Sequence, residues 1–510
     1  MPASFSIPVT GLAANDPVPG NYLEINFAQG PASIGQNTYA ILLMGNRSTA
    51  GAATVDTQIY GGPNSPLPLQ TTQDAITLFG QGSELHRMFK RVVALNTGSP
   101  IFAIAVAESA GVAATGAITY VTPAAANGNV RVWVGDDFTD VSITNGDAIA
   151  TIATNTATAI NAKLDWAVTA SPALGVVTLT AKQKGPRGNW LRFAAVITGT
   201  GVATTSSATA PAFLASGATA DSNTNALATI NPFRFYYIAS AAEDASQLGA
   251  LCTQVNTQGG PLVGLRQRVF AGSVDTSGNA TTIATGINNA RCDVMWLQNS
   301  EVTPSELAAN LAAVVALEEA NLSGARALNY DFYGNDAASS QRWQIKAPRS
   351  GTAPTRSTIK SALNNGLSPV AVNPNGTTYI VSLITTRSLN GATNDYRIRD
   401  HHKVTICDRY GDDLLTKFGQ QFAGKRIADD PVPGQRLPGS TVVTPSVVRA
   451  AINKLTTDYD NIDLLQNVAT IIANTQCIRE ASPTTRMSAR IPLQPIDALH
   501  QIGIELDQVG

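Results

Sequence analysis

The stretch "LFGQGSELHRMFKRV", Leu78 to Val92, gathers two glycines, a serine and a histidine, residue types that can cradle a phosphate, activate a nucleophile or turn a corner. A dinucleotide loop needs a strand before its glycines and a third glycine three residues after the second. Here "TTQDAITLFG" has helical periodicity, with Thr71 or Thr72 as N-cap and Ile76 and Phe79 inward, and the third glycine position holds Leu85. The stretch therefore reads as a corner. Gly80 ends one helix and Ser83 caps the next, whose Leu85, Met88, Phe89 and Val92 recur at helical spacing and leave His86 toward solvent.

The other chemical motifs reduce in the same way. "GQQFAGKR", Gly419 to Arg426, satisfies G-x-x-x-x-G-K, but Arg426 stands where a Mg²⁺-binding Ser or Thr belongs. Leu414, Leu415, Phe418 and Phe422 predict a helix that ends at Gly424, with Asp412 and Asp413 at its start and Lys425 and Arg426 at its end, as the helix dipole favours. His401 and His402 lie near Asp400 and Asp408; read as neighbours on a strand, they point to opposite faces and cannot share one ion. "DYDNID", with Asp458, Asp460 and Asp463, lacks the central Gly and closing Glu of a calcium loop. Neither G-x-S-x-G nor His-Gly and Gly-Thr-Ser segments occur. The widely spaced Cys252, Cys292, Cys407 and Cys477 read as separate reduced thiols, buried as small hydrophobes. No catalytic, cofactor or metal site is expected.

These residues must be positioned by short apolar strands alternating with helices: "YAILLMG" from Tyr39, "SPIFAIAVA" from Ser99, "FRFYYIAS" from Phe233, "RQRVFAG" from Arg266 and "DVMWLQ" from Asp293. That alternation predicts an α/β layer on a largely parallel sheet over 31–110 and 231–370. "TPSELAANLAAVVALEEA" predicts a helix with Thr303 as N-cap, Pro304 at its first position, Glu306 closing a capping box, and an apolar stripe of Leu307, Leu311, Val314 and Val315. "TPSVVRAAINKL" repeats the Thr-Pro opening at Thr444 and Pro445, with Val448, Ile452 and Leu455 on one face.

Residues 111–230 change in composition and read as an inserted β-rich domain. Its charges balance, so Lys182, Lys184 and Arg187 are expected on a solvated turn. Residues 371–485 form a C-terminal α+β domain, with "TTYIVSLITTRS" as a strand and "GDDLLTKFGQQF" as a helix. Both ends are extended arms, 1–30 and 486–510. Each carries one alternating strand, with Leu23, Ile25 and Phe27 on one face at the amino end and Ile502, Ile504 and Leu506 at the carboxyl end.

The 510 residues carry a net charge of −2, with 14% charged and 44% hydrophobic residues, so no basic field is available for nucleic acid. The amino terminus lacks a basic segment followed by an apolar run, and no stretch near 18 apolar residues would span a bilayer. A soluble chain made in the cytosol is expected, with much of its surface against other proteins.

"LFGQGSELHRMFKRV", "DYRIRDHHKVTICDRYGDDLLTKF" and "ARIPLQPIDALHQIGIEL" together resemble the tail sheath proteins of contractile bacteriophages, of the Mu-like type. The resemblance runs along nearly the whole chain and is loosest over 111–230. It implies a subtilisin-like fold for the α/β domain without proteolysis, an inserted domain facing outward and a C-terminal domain facing the inner tail tube. By the same resemblance the arms exchange strands with neighbouring subunits, joining homohexameric rings into a helical lattice that contracts to drive the tube through the host envelope. The implied partners are the chain itself, the tube protein, the baseplate and the tail terminator, in a virion assembled in the host cytoplasm. The sheath of a contractile bacteriocin or secretion-type injection system shares this chemistry, and an α/β hydrolase is the other alternative.

Overall fold

Apolar runs buried on both faces form the centre of the molecule. The computed structural model describes residues 39–61, 68–199, 208–260, 263–321, 344–373, 376–432 apart from 392, 396 and 398, 439–481, 485–497 and 505. An eight-stranded sheet runs in the order Thr378–Ile380, Leu367–Val372, Cys292–Trp296, Arg268–Ser273, Tyr237–Ser240, Ile41–Asn46, Ile101–Val106 and Ile59–Gly61. All neighbours are parallel except the outermost pair on each side. Ile41 stands opposite both Tyr237 and Ile101, and Val269 opposite Cys292. Every residue of Ile41–Asn46 and Arg268–Ser273 is buried, as expected for parallel strands covered on both sides.

Alternate residues feed two cores. On one face Ile41, Leu43, Tyr237, Phe270 and Met295 meet helices Thr72–Phe79, Glu84–Leu95 and Pro304–Asn321. On the other, Leu42, Ile104, Ile238, Val269 and Trp296 meet helices Thr224–Ile230, Ala245–Gln258, Ser277–Ile287 and Arg356–Asn364. The helix Pro304–Asn321 begins where expected, with Glu306 accepting from the backbone N–H of Thr303 at 3.3 Å. The one-sided stripe is too narrow, because residues 304–316 are buried all round. Ala308, Ala309, Ala312, Ala313 and Ala316 are small enough for the sheet and helix Glu84–Leu95 to close on it. Gly272 allows the approach: a Cβ there would lie 2.2 Å from the Pro304 carbonyl oxygen.

The chain leaves this sheet after Ile101–Val106 and returns to it at Tyr237–Ser240. Between them stand a four-stranded sheet (Ala212–Phe213, Arg192–Thr198, Gly128–Val134, Asp137–Ile143) and a three-stranded one (Ala113–Thr119, Val176–Lys184, Val168–Ala173). Helix Ile149–Ala162 shares their separate apolar core, which includes Val130, Val132, Ile152, Ile160, Val177 and Leu179. The outgoing and returning segments are zipped together, with Val112 and Ala218 exchanging backbone hydrogen bonds at 3.3 and 3.2 Å.

The carboxyl-terminal third differs from its sequence reading in its strand and in the start of its first helix. "TTYIVSLITTRS" contributes only Thr378–Ile380, which completes the edge of the large sheet. The helix read from "GDDLLTKFGQQF" starts ten residues earlier, as His401–Phe422. It packs with helices Pro445–Asp460 and Val468–Asn474 and with the antiparallel hairpin Gln476–Arg479/Met487–Arg490 around Ile406, Tyr410, Val448, Ile452, Leu455 and Tyr459. The arm residues Leu23, Ile25, Phe27, Ile502, Ile504 and Leu506 lie outside the described residues.

Candidate functional site

At the opening motif the backbone amides are already spent. Gly80 N–H donates to Ile76 O at 2.8 Å, Gly82 N–H to His86 Nδ1 at 3.1 Å, and Ser83 Oγ accepts from His86 N–H at 3.2 Å. Gly82 has φ +75 and a Cβ there would stand 2.4 Å from Trp166 O, so the corner also packs against the inserted unit. His86 is not solvent-facing as expected: it is fully buried, because that unit covers the face of helix Glu84–Leu95 turned away from the sheet. Burial lowers its pKa to about 4, which suits a neutral ring accepting from Gly82.

The other motif residues are also structural. Gly419 lies inside helix His401–Phe422 and Gly424, at φ +72, follows its end, so the Walker-like spacing marks a helix stop. Asp412 and Asp413 sit mid-helix rather than at its start. His401 and His402 open that helix instead of lying on a strand, and they face different neighbours. His402 Nε2 is 3.1 Å from Ile496 O, with its pKa lowered chiefly by burial. No group of three metal-ligating side chains occurs among the described residues. Cys252 and Cys292 are buried, and a hydrogen bond between them, together with burial, pushes the Cys292 thiol well up. Cys407 is exposed, contrary to the reading of all four as core residues.

What the fold does assemble is a set of charged seams between units. Arg234, Arg266 and Arg291 each stand just before one of three adjacent parallel strands, Tyr237–Ser240, Arg268–Ser273 and Cys292–Trp296, and so form a row along their amino-terminal edge. Helix His401–Phe422 meets that row with Asp408 and Asp412, one turn apart. Arg291 Nη2 donates to Asp408 Oδ1 at 2.7 Å and Arg266 Nη1 to Asp412 Oδ1 at 2.7 Å, while Arg234 pairs with the second oxygen of Asp412. Three turns back on the same face, His401 is wholly buried: its Nδ1 is 2.5 Å from Asp293 Oδ2 and its Nε2 is 3.3 Å from Glu319 Oε1. Arg268 donates to both Asp293 oxygens at 3.1 Å. Sequence reading passed over this constellation, although an arginine just before each of three apolar runs and an Asp pair at i, i+4 were its visible signal.

A second seam fastens the inserted unit. In open α/β sheets ligands bind beyond the carboxyl ends of the strands where strand order reverses, here between Ile41–Asn46 and Tyr237–Ser240. That crevice is filled from the insert. Arg187 Nη1 donates to Glu84 Oε2 at 2.6 Å and its other nitrogen pairs with Asp221 at 3.3 Å, while Trp190 Nε1 donates to Glu243. Arg187 is thus a buried clamp rather than part of a solvated turn, since two carboxylates at the sheet end draw it in. A cavity of about 170 Å³ remains beside it. Burial and the neighbouring Glu84 push the Glu243 carboxyl up to about 8 against the pull of Arg187. Nearby, Arg192 and Arg349 both bind Glu301, and Arg87 and Arg91 both bind Glu306.

The carboxyl-terminal unit offers exposed strand edges. Among the described residues the hairpin Gln476–Arg479/Met487–Arg490 is a sheet of two strands, partly exposed along both. The segment read as an arm from 486 is tied into its own chain as far as Asp497. Gln466 N–H donates to Gln494 O at 2.9 Å, Ile496 N–H to Leu464 O at 3.1 Å, and Lys403 pairs with Asp497.

The described residues build apolar cores joined by ionic seams, and the chain is similar to sheath proteins of contractile tails. Over 457 residues it is 23% identical to the Mu-like prophage FluMu tail sheath protein of Haemophilus influenzae, covering 88% of each chain, as the sequence resemblance implied. No family model matches. Similar solved structures include the sheath tail protein of Desulfitobacterium hafniense (13% identity, TM-score 0.45, 93% of this chain and 100% of that one). Others are the sheath tail protein of Listeria innocua (10%, 0.46, 90% and 92%) and the PVC sheath complex of an extracellular contractile injection system (10%, 0.47, 97% and 99%). These relatives are structural sheath proteins and not enzymes.

Proposed function

We propose that this chain is the sheath subunit of a contractile phage tail, assembling as stacked hexameric rings around the tail tube and contracting to drive the tube through the host envelope. The similarity to a tail sheath protein across 88% of both chains carries the reading. The arm strands supply the lattice contacts: Leu23, Ile25 and Phe27 of one copy and Ile502, Ile504 and Leu506 of another add to the edges of the hairpin Gln476–Arg479/Met487–Arg490 of a third. A two-stranded ribbon is marginal alone, and added strands supply backbone hydrogen bonds and bury an apolar face. Head-to-tail contacts of this kind generate helical tubes. The C-terminal unit faces the tube protein and the inserted unit faces outward, with baseplate and tail terminator at the two ends.

Sedimentation and negative-stain microscopy of the purified chain test this. Rings or long tubes are expected from the full chain, and soluble folded subunits from one lacking Ile502–Gly510 or carrying aspartate at Leu23, Ile25 and Phe27. A full chain that stays monomeric at high concentration overturns the sheath reading; tubes from the truncated chain overturn the arm assignment alone.

A further inference from the structure

We propose that the seam between the parallel sheet and helix His401–Phe422 is a separable electrostatic clasp, pivoting at His401, through which the C-terminal unit can leave the sheet edge as a folded body. The proposal concerns the single subunit and does not depend on the lattice.

Three observations carry it. First, among the described residues the apolar clusters on the two sides do not merge. Ile406, Tyr410, Leu455, Tyr459 and Ile471 pack with each other and their own unit, and no large-sheet residue joins them. Positions 401, 405, 408 and 412 share the helix face turned to the sheet, and they are His, Thr, Asp and Asp. Along its outer part the seam is ionic, and the ring contact that crosses it lies at the inner end, where Phe270 of the sheet stacks on His401 at 5.8 Å.

Second, the helix belongs to the C-terminal side. Tyr410 Oη and Thr456 Oγ1 lie 2.9 Å apart, Tyr459 Oη donates to Asp413 at 2.6 Å, and Tyr410 and Tyr459 stack edge-on at 5.1 Å. A helix so fastened moves with its own unit.

Third, the seam is graded in depth. The outer pairs are partly buried, with side-chain exposures of 24% and 18% at Arg234–Asp412 and 13% and 18% at Arg291–Asp408. At the inner end His401 and Asp293 are at 0%. There the chain itself crosses between units, with His401 N–H donating to Leu383 O at 3.3 Å and Thr385 N–H to Arg399 O at 2.7 Å. At 1.5 Å per residue Asp408 and Asp412 lie about 10 and 16 Å along the helix from His401. The arrangement is a lever whose fixed end is wholly buried and chain-linked and whose free end is held by partly exposed ion pairs.

Hydrogen exchange on the full-length chain, read by mass spectrometry, tests this in the double variant Asp408→Asn/Asp412→Asn. Peptides covering the sheet edge, around Phe235, Gln267 and Asn289, should exchange about tenfold faster. Those covering Tyr410–Phe422, Ile452–Tyr459 and Gln476–Arg479 should keep their parental rates. In the parent, raising salt from 0.1 to 1 M shortens the screening length from about 10 to about 3 Å and should accelerate the same edge peptides, an effect absent from the variant. The charge swap Arg266→Asp/Asp412→Arg should recover more of the protection than either single change leaves. Unchanged edge exchange in the double variant overturns the proposal, as does joint loss of protection at the edge and in the C-terminal unit, which would mean unfolding rather than undocking.

Discussion

Replacing Glu306 by glutamine removes a charge that two arginines share and leaves the shape of the side chain intact. Glu306 Oε2 is 2.7 Å from Arg87 Nη1 and its Oε1 is 3.4 Å from Arg91 Nε, while Arg91 Nη2 also reaches Asp136 of the inserted unit at 2.6 Å. Burial pushes this carboxyl up, but Arg87, Arg91 and the hydrogen bonds at Thr303 outweigh it and hold the pKa down to about 2, against an ordinary 4.5. At about 1.4 kcal/mol per pH unit that difference is worth about 3 kcal/mol of folding stability. The folded-state value is depressed, so the contribution is present in full above about 4.5 and is lost as pH falls through about 2. Urea unfolding followed by tryptophan fluorescence should therefore show Glu306→Gln less stable by about 3 kcal/mol at pH 7, with the gap to the parent closing between pH 4.5 and 2. Equal stability at pH 7, or a gap of the same size at pH 2, would refute the assignment of that energy to the arginine pair.

Glu243 has the opposite sign. Its carboxyl is raised to about 8, so the folded state is penalised progressively as pH rises from about 4.5 to 8, and Glu243→Gln should stabilise by up to about 5 kcal/mol at pH 8–9 while matching the parent at pH 4, as read from the same unfolding curves. For His86, lowered to about 4, protonation opposes folding as pH falls from 6.5 through 4. His86→Leu should flatten that acid slope and, by leaving the Gly82 N–H without its acceptor, lower stability at pH 7 by about 1–3 kcal/mol.

The parts of the fold that were legible in the sequence are those governed by local pattern. Five apolar runs became five adjacent strands of the large sheet, and the Thr-Pro openings at Thr303 and Thr444 mark helix starts. The parts that were not legible depend on partners far along the chain. His86 looked exposed because the inserted unit that covers it comes later in sequence, and Arg187 looked solvated because its carboxylate Glu84 lies 103 residues away. "HHKVTIC" alternates like a strand, yet it is the first two turns of a helix, with His401 held by Asp293 and Glu319 on one side and Ile406 packed with Leu455 and Tyr459 on the other. Asp412 passed for a helix-start charge because Arg234 and Arg266, 178 and 146 residues distant, were not visible as its partners.

The zipped neck at Val112 and Ala218 has a consequence for how this protein can diversify. Its two threads stand one strand spacing apart, clamped again where Ser109 N–H meets Asp221 at 2.6 Å, so the distance to be spanned is fixed before the first residue of the insert and after its last. Closing a longer excursion between fixed ends costs only logarithmically more entropy. Loops on the far side of that gate can lengthen or shorten without moving the neck, so long as Arg187 and Arg192 still reach Glu84 and Glu301.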